Sequence, residues 1–196
     1  TGRPIESAAL KKLRAGEPQE MWPGPFGGKN WMPMSFNPKT GLAYANTLEI
    51  GATYKPAEAK FVKGALYLGY DLGSLQFKVK SPEAGAYLRG IDPLTGKAKW
   101  EVSTGKVANW SGTMTTAGGL VFTGAQTGEF RAYDADTGEK LWEFQTGSGI
   151  IGQPVTWEED GRQYVSVASG SGGAYSIYWP LLGAAYKDMN AVLSGV

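Results

Sequence analysis

The sequence predicts an all-β fold, a partial β-propeller forming an arc of about three to four blades. Three observations carry this. The pattern Asp-x-x-Thr-Gly-x-x-x-Trp occurs at Asp92, Thr95, Gly96 and Trp100. It recurs, displaced by 42, at Asp134, Thr137, Gly138 and Trp142; that period is the size of one four-stranded blade, ~40–45 residues in the commonest repeat of this kind. Short apolar runs alternate with turn signals, and the composition is rich in Gly (29), Tyr (10) and Trp (7), as expected of short strands joined by tight turns.

Residues 6–20, ESAALKKLRAGEPQE, are polar with a short helical pattern and read as a surface excursion. Strands follow at GLAYANT (41–47), AYLRGID (86–92), AKWEVST (98–104), GLVFTGA (119–125), EFRAYDA (129–135), KLWEFQT (140–146), PVTWEE (154–159) and QYVSVAS (163–169). Apolar–polar alternation is clear in EFRAYDA and QYVSVAS. Thr-Gly at 40–41, 95–96, 127–128 and 137–138, Gly-Gly at 118–119 and Asp-Gly at 160–161 separate them. The stretch 50–84 carries no repeat signal and reads as an irregular insertion, while FNPKTGLAYA (36–45) is a divergent relative of the repeat. The whole chain, 1–196, is thus one propeller portion incomplete at both ends; its opening TGRP reads like the middle of a turn in a longer protein.

The repeated motif has a structural task. Its Asp and Thr bond the turn backbone, and its Gly takes a positive φ that other residues resist. Trp100 and Trp142 are expected to bury their rings against a neighbouring sheet, each indole N–H seeking an acceptor. Metal binding by these Asp residues is the weaker reading.

Bulk properties exclude several classes. A net charge of +1 and the lack of a basic run give no support for nucleic-acid binding. With neither Cys nor His, the chain lacks a disulfide framework, the usual zinc ligands and the commonest general base. No segment reaches the length of a membrane span, and no signal peptide is evident.

In a strand–turn–strand repeat, the loops leaving the Trp-bearing strands emerge on one face: GPFGGKNWMPM (24–34), GKVANWSGTM (105–114) and GSGIIGQP (147–154). The glycine-rich SGSGGAYSIYWP (169–180) falls on the same rim. Asn-Trp recurs at Asn30-Trp31 and Asn109-Trp110. Hydrogen-bond donors beside flat apolar surface, with glycines allowing close approach, suit a planar, polar-edged, anionic cofactor. Taken singly, Trp31 and Trp110 are better explained as core aromatics and the glycines as turn formers. Lys29 either faces a carboxylate or is solvated.

GPFGGKNWMPMSFNPKTGL, WSGTMTTAGGLVFTG, AYDADTGEKLWEFQTGSG and PVTWEEDGRQYVSVASGSGG together resemble the C-terminal part of the quinoprotein alcohol dehydrogenases, the methanol and ethanol dehydrogenase type. The resemblance covers roughly 22–180. It implies an eight-bladed propeller tied by tryptophan docking, with pyrroloquinoline quinone (PQQ) as cofactor. Asn30 and Trp110 would then hydrogen-bond the quinone, with Gly173 and Ala174 lining it; several relatives carry Trp at the position of Ala174, so that contact is through backbone. The catalytic Asp and the ligands of Ca2+ or a lanthanide would lie outside this chain, which holds no catalytic or metal residue of its own. The implied function is oxidation of primary alcohols to aldehydes in the periplasm, with electrons passing to a cytochrome c. The isolated piece would be inactive. The rival reading is a non-catalytic propeller scaffold or binding module, which also uses docking tryptophans.

Overall fold

The computed structural model describes residues 2–65, 67–81, 85–105 and 109–170. In chain order these form helix α1 (Ala8–Arg14) and strands β1 (Gln19–Met21), β2 (Ser35–Asn37), β3 (Leu42–Leu48), β4 (Ile50–Tyr54), β5 (Gln76–Val79) and β6 (Ala86–Ile91). β7 (Ala98–Gly105), β8 (Thr113–Thr115), β9 (Leu120–Gly124), β10 (Glu129–Asp134), β11 (Lys140–Gln145), β12 (Val155–Glu159) and β13 (Arg162–Ser166) complete the series. All eight strands expected from the sequence are present. The fold is all-β apart from α1, which Ser7 caps by accepting from the Leu10 amide (3.1 Å) and which buries no residue.

Two complete antiparallel four-stranded sheets, β2-β3-β6-β7 and β8-β9-β10-β11, are blades of a propeller arc, and the hairpin β12-β13 begins a third. The inner strands β2 and β8 lie side by side with their ends aligned. Ser35 and Thr113 hydroxyls are 2.9 Å apart, and Asn37 Nδ2 donates to Thr115 Oγ1 at 3.3 Å. These partners are 78 residues apart, whereas the third and fourth strands repeat at 42. The surplus is an excursion, Glu49 to Gly85, inserted between the second and third strands of the first blade.

That excursion is less irregular than its sequence reads. β4 and β5 pair, and β1 adds to β4, giving a separate three-stranded sheet, β1-β4-β5. Its strands are three to five residues long, too short to establish an alternating pattern in the sequence. FNPKTG likewise needs correction as a relative of the repeat. It forms the same turn, with Gly41 N–H donating to Asn37 O (2.9 Å) at φ 70°. However, it joins the first and second strands of a blade, whereas Asp92–Gly96 and Asp134–Gly138 join the third and fourth.

The turns at 92–96 and 134–138 do what their chemistry requires. The Asp134 carboxylate accepts from the Thr137 amide (2.8 Å) and hydroxyl (3.0 Å), which hold it below the usual carboxylate range. Gly138 N–H closes the turn on Asp134 O at 2.9 Å with φ 76°.

Between the blades lies a core of Leu42, Tyr44, Leu88, Val121, Tyr133 and Ala135, with Trp100 packed against it. Trp100 covers its own blade's Gly90 and the next blade's Gly138, where a Cβ would lie 2.5 and 2.6 Å from the indole. Trp142 differs from its expected burial. It is 47% exposed, edge-on to Phe130 and stacked on Phe144. It faces a groove of about 640 Å³ that also touches Val165 and Val167 at the end of the β12-β13 hairpin.

Candidate functional site

Strand direction separates the two ends of the arc. The turns at 37–41, 92–97, 116–119 and 134–139 lie at one end. At the other are the segment entering β2, the 49–85 excursion, the β9–β10 turn and the loops before β8 and β12. Ser169 and Gly170, which open the glycine run, join this second end: Gly170 N–H donates to Gly149 O at 2.8 Å and Ser169 Oγ to Thr146 Oγ1 at 2.9 Å. Gly173 and Ala174 lie outside the described residues.

Asn30 and Trp110, far apart in sequence, line one cavity of about 160 Å³ at this end, together with Trp31, Phe26 and Phe77. Trp110 is fully buried, with no exposed surface, while the Trp31 ring stacks on it at 4.4 Å and 25° and is itself 48% exposed. Phe26 meets Trp110 edge-on (5.3 Å, 82°), and Phe77 stacks on Phe26 (5.1 Å, 3°). Three separate segments thus contribute rings to one continuous aromatic wall. Each such pair contributes roughly 0.5–1.5 kcal/mol beyond area burial, so the wall is held by mutual packing.

Asn30 is exposed and braces its own loop: its Nδ2 donates to Phe26 O at 3.2 Å, and its Oδ1 accepts from the Trp31 amide at 2.9 Å. An amide nitrogen carries two protons, and the bond to Phe26 O uses one of them. Lys29 is exposed, as its solvated reading expects, and pairs with no carboxylate among the described residues. Its ammonium donates to the carbonyls of Asn30 (3.0 Å) and Met32 (2.7 Å), curling the loop around itself.

The sequence reading missed the residues that hold Trp110 in place. Asn46, buried on β3, donates from Nδ2 to Ser111 O and to Thr123 Oγ1, both at 2.7 Å. Asn109 Nδ2 donates to Asn46 Oδ1 (3.3 Å), and Asn109 Oδ1 accepts from the Ser111 amide (3.1 Å). Ser111 Oγ donates to Gly152 O at 3.0 Å and accepts from Gly124 N–H at 3.0 Å. Trp110 therefore sits in a loop bonded to both blades and to the loop before β12. A carboxamide in the middle of the apolar run LAYANTL was the available signal.

No carboxylate is among the residues lining this cavity, and among the described residues no three of His, Cys, Asp or Glu gather as a metal site. A flat aromatic wall, an exposed carboxamide and a lining without carboxylates fit the edge of a planar, acceptor-rich group. The residues present fit one side of such a cofactor.

Two complete blades, a third begun and a cavity at the loop end define the class: an arc of a β-propeller. Residues 70–165 match the family model described as PQQ: Glucose/ethanol/alcohol dehydrogenase, beta-propeller domain. Over 187 residues the chain is 41% identical to a quinoprotein ethanol dehydrogenase of Pseudomonas putida, covering 91% of this chain and 29% of that one. A solved europium-containing methanol dehydrogenase superposes with a TM-score of 0.76 at 35% identity, covering 87% of this chain and 31% of that chain. The quinohemoprotein alcohol dehydrogenase from Comamonas testosteroni gives 0.70 at 40% identity, over 89% and 27%. The chain is similar to quinoprotein alcohol dehydrogenases over 87–91% of its own length. It spans about 30% of the length of the relatives it matches.

Proposed function

We propose that this chain supplies one wall of the quinone site in a PQQ-dependent dehydrogenase that oxidises primary alcohols to aldehydes. The observation that carries this is the convergence of Asn30, Trp31 and Trp110, from two loops, on one cavity at the loop end of the arc. A scaffold has no use for an exposed carboxamide beside a stacked indole pair, so the non-catalytic reading is the less supported. We read the contact of Trp100 with the next blade as the family's tryptophan docking.

Bound PQQ supplies the acceptor for the hydride of the alcohol. The residues of this chain bind and orient. Asn30 offers its second amide N–H to an oxygen on the cofactor's edge. Trp110, immobilised by the Asn46–Asn109–Ser111 network, backs the half-exposed Trp31 ring, so that ring presents a flat surface with little reorganisation on binding. Phe26 and Phe77 keep water from the buried side of the wall, which strengthens polar contacts made there. Gly173 and Ala174 would line the same group. Removal of the alcohol proton and the holding of Ca2+ or a lanthanide fall to the remainder of the propeller. Electron transfer to a cytochrome c and a periplasmic location complete the reading. No helix among the described residues is long and apolar enough to cross a membrane.

The test is dye reduction by the full-length protein with PQQ and Ca2+ or a lanthanide. Turnover of ethanol that depends on both additions is expected, with none from residues 1–196 alone. A full-length protein that binds no PQQ would return the chain to the scaffold reading.

A further inference from the structure

Within the excursion inserted into the first blade, residues 57–69 form a loop closed at its neck. Ala57 N–H donates to Gly69 O at 3.2 Å, Asp71 N–H donates to Lys55 O at 2.9 Å, and Pro56 pairs with Tyr70 between them. At the tip, Ala65 N–H donates to Val62 O (3.1 Å) with Gly64 at φ 84°, so Lys63 and Gly64 form the corner of a tight turn. Phe61 meets Tyr67 edge-on at 6.1 Å and 77°. A loop with joined ends, packed by its own side chains, is an Ω-loop, a class that often carries function. These rings brace the loop without being buried by it: Phe61 is 77% exposed, Tyr67 62% and Val62 59%. Every residue from 57 to 65 is exposed. A blade requires none of this, since the second blade makes the same connection with the short turn between β9 and β10.

The loop reads AEAKFVKGALYLG, with Lys60 and Lys63 flanking Phe61 and Val62 and with Glu58 as its single carboxylate. Neither ammonium pairs with a carboxylate among the described residues. We propose that this loop docks the protein on an anionic phospholipid surface, through Phe61, Val62 and Tyr67 set beside Lys60 and Lys63. Lysine stems can lie along apolar surface while their ammoniums reach the headgroup phosphates, and the apolar tip enters the boundary between headgroups and acyl chains. Charge and shape both favour lipid over a protein partner. A specific protein interface covers about 800 Å² on each side and is depleted of lysine at its core. Here two lysines border the apolar tip of a single loop. Each lysine close to an anionic surface is worth about fivefold in affinity, so docking is weak, reversible and weakened by salt. Because Tyr70 both closes the neck and lines the loop-end cavity, a docked loop holds that cavity beside the lipid surface, whatever the cavity binds.

The test is co-sedimentation of the full-length protein with vesicles of phosphatidylcholine alone, or of phosphatidylcholine and phosphatidylglycerol in equal parts, at low and at raised salt. Wild type is compared with Phe61→Ser and with the double variant Lys60→Gln, Lys63→Gln. Wild type is expected to sediment with the phosphatidylglycerol vesicles at low salt and to be released as salt rises. Partitioning should fall roughly thirtyfold in the lysine variant and roughly tenfold or more in Phe61→Ser. Unfolding midpoints of both variants should stay near wild type, since none of these side chains is in the core. A wild type with no preference for phosphatidylglycerol vesicles overturns the proposal. So does partitioning within about threefold of wild type in either variant. A dimer that Phe61→Ser dissolves, seen by size exclusion without lipid, overturns it as well, because the tip would then be covered by a second copy. Should Phe61→Ser fail to fold, the lysine variant alone decides.

Discussion

The indole nitrogen of Trp100 donates to the carbonyl of Ala135, 3.1 Å away in the turn of the next blade. The same carbonyl accepts from the Tyr44 hydroxyl at 3.1 Å, and Tyr44 stacks on Trp100 at 5.8 Å. One backbone oxygen in the repeated Asp–Thr–Gly turn therefore receives two aromatic side chains from the preceding blade. The repeat couples a turn to a tryptophan because the turn of one blade is the landing site for the tryptophan of its neighbour.

Substitution at this contact should separate packing from hydrogen bonding. Trp100→Phe keeps a ring over Gly90 and Gly138 and should cost about 1 kcal/mol for the lost hydrogen bond. Trp100→Ala should cost about 3 kcal/mol or more, as large aromatic deletions do. Gly138→Ala meets both a positive φ and the indole, and should destabilise more than Trp100→Phe. Urea unfolding midpoints of the full-length variants check the order.

Asn46→Ala removes the hub that Ser111, Thr123 and Asn109 share. Leaving those buried partners unsatisfied should cost about 1–3 kcal/mol. Because the network holds the Trp110 loop, quinone affinity should fall with stability. Asn46→Asp, keeping the acceptor but not the donor, should not rescue either property. Paired PQQ titrations and unfolding curves read both effects.

Glu49, at the entry to the excursion, is held below the usual glutamate range by Arg89 first and Lys80 second. A carboxyl with a lowered folded pKa contributes stability above its unfolded value, about 4.3, and loses it as pH falls through the folded value. Glu49→Gln should thus be less stable than wild type at pH 7, by on the order of 1 kcal/mol for this partly exposed pair. The difference should shrink as pH is lowered below about 5. A gap that widens toward acid pH would contradict the assignment. Unfolding midpoints from pH 7 to pH 3 decide it.

Much of the arc is written in periodicity. Eight strands and all the glycine turns at 41, 96, 119, 128, 138 and 161 could be read from alternation and turn chemistry, and each of these glycines has positive φ. The excursion could not. β1, β4 and β5 are short, and their pairing depends on contacts spanning tens of residues, such as Glu20 with Thr53. The insertion also hid the repeat of the first two strands by moving it from 42 to 78 residues. At the cavity, the recurrence of Asn-Trp in loops at one end pointed to the loops of Asn30 and Trp110, but their proposed role came only from the resemblance of those loops to the family's. The Asn46 network was not legible, since a single carboxamide in a strand looks like ordinary structure until its neighbours are known.

The most direct test of the central claim is an equilibrium titration of the full-length apoprotein with PQQ in the presence of metal, followed by tryptophan fluorescence. Wild type, Asn30→Ala and Trp110→Phe are compared. Both substitutions are expected to weaken binding, Asn30→Ala by roughly tenfold for one lost hydrogen bond to a charged group, with unfolding midpoints near wild type for the exposed Asn30. Quinone affinities equal to wild type in both variants would contradict the assignment of this wall to the cofactor.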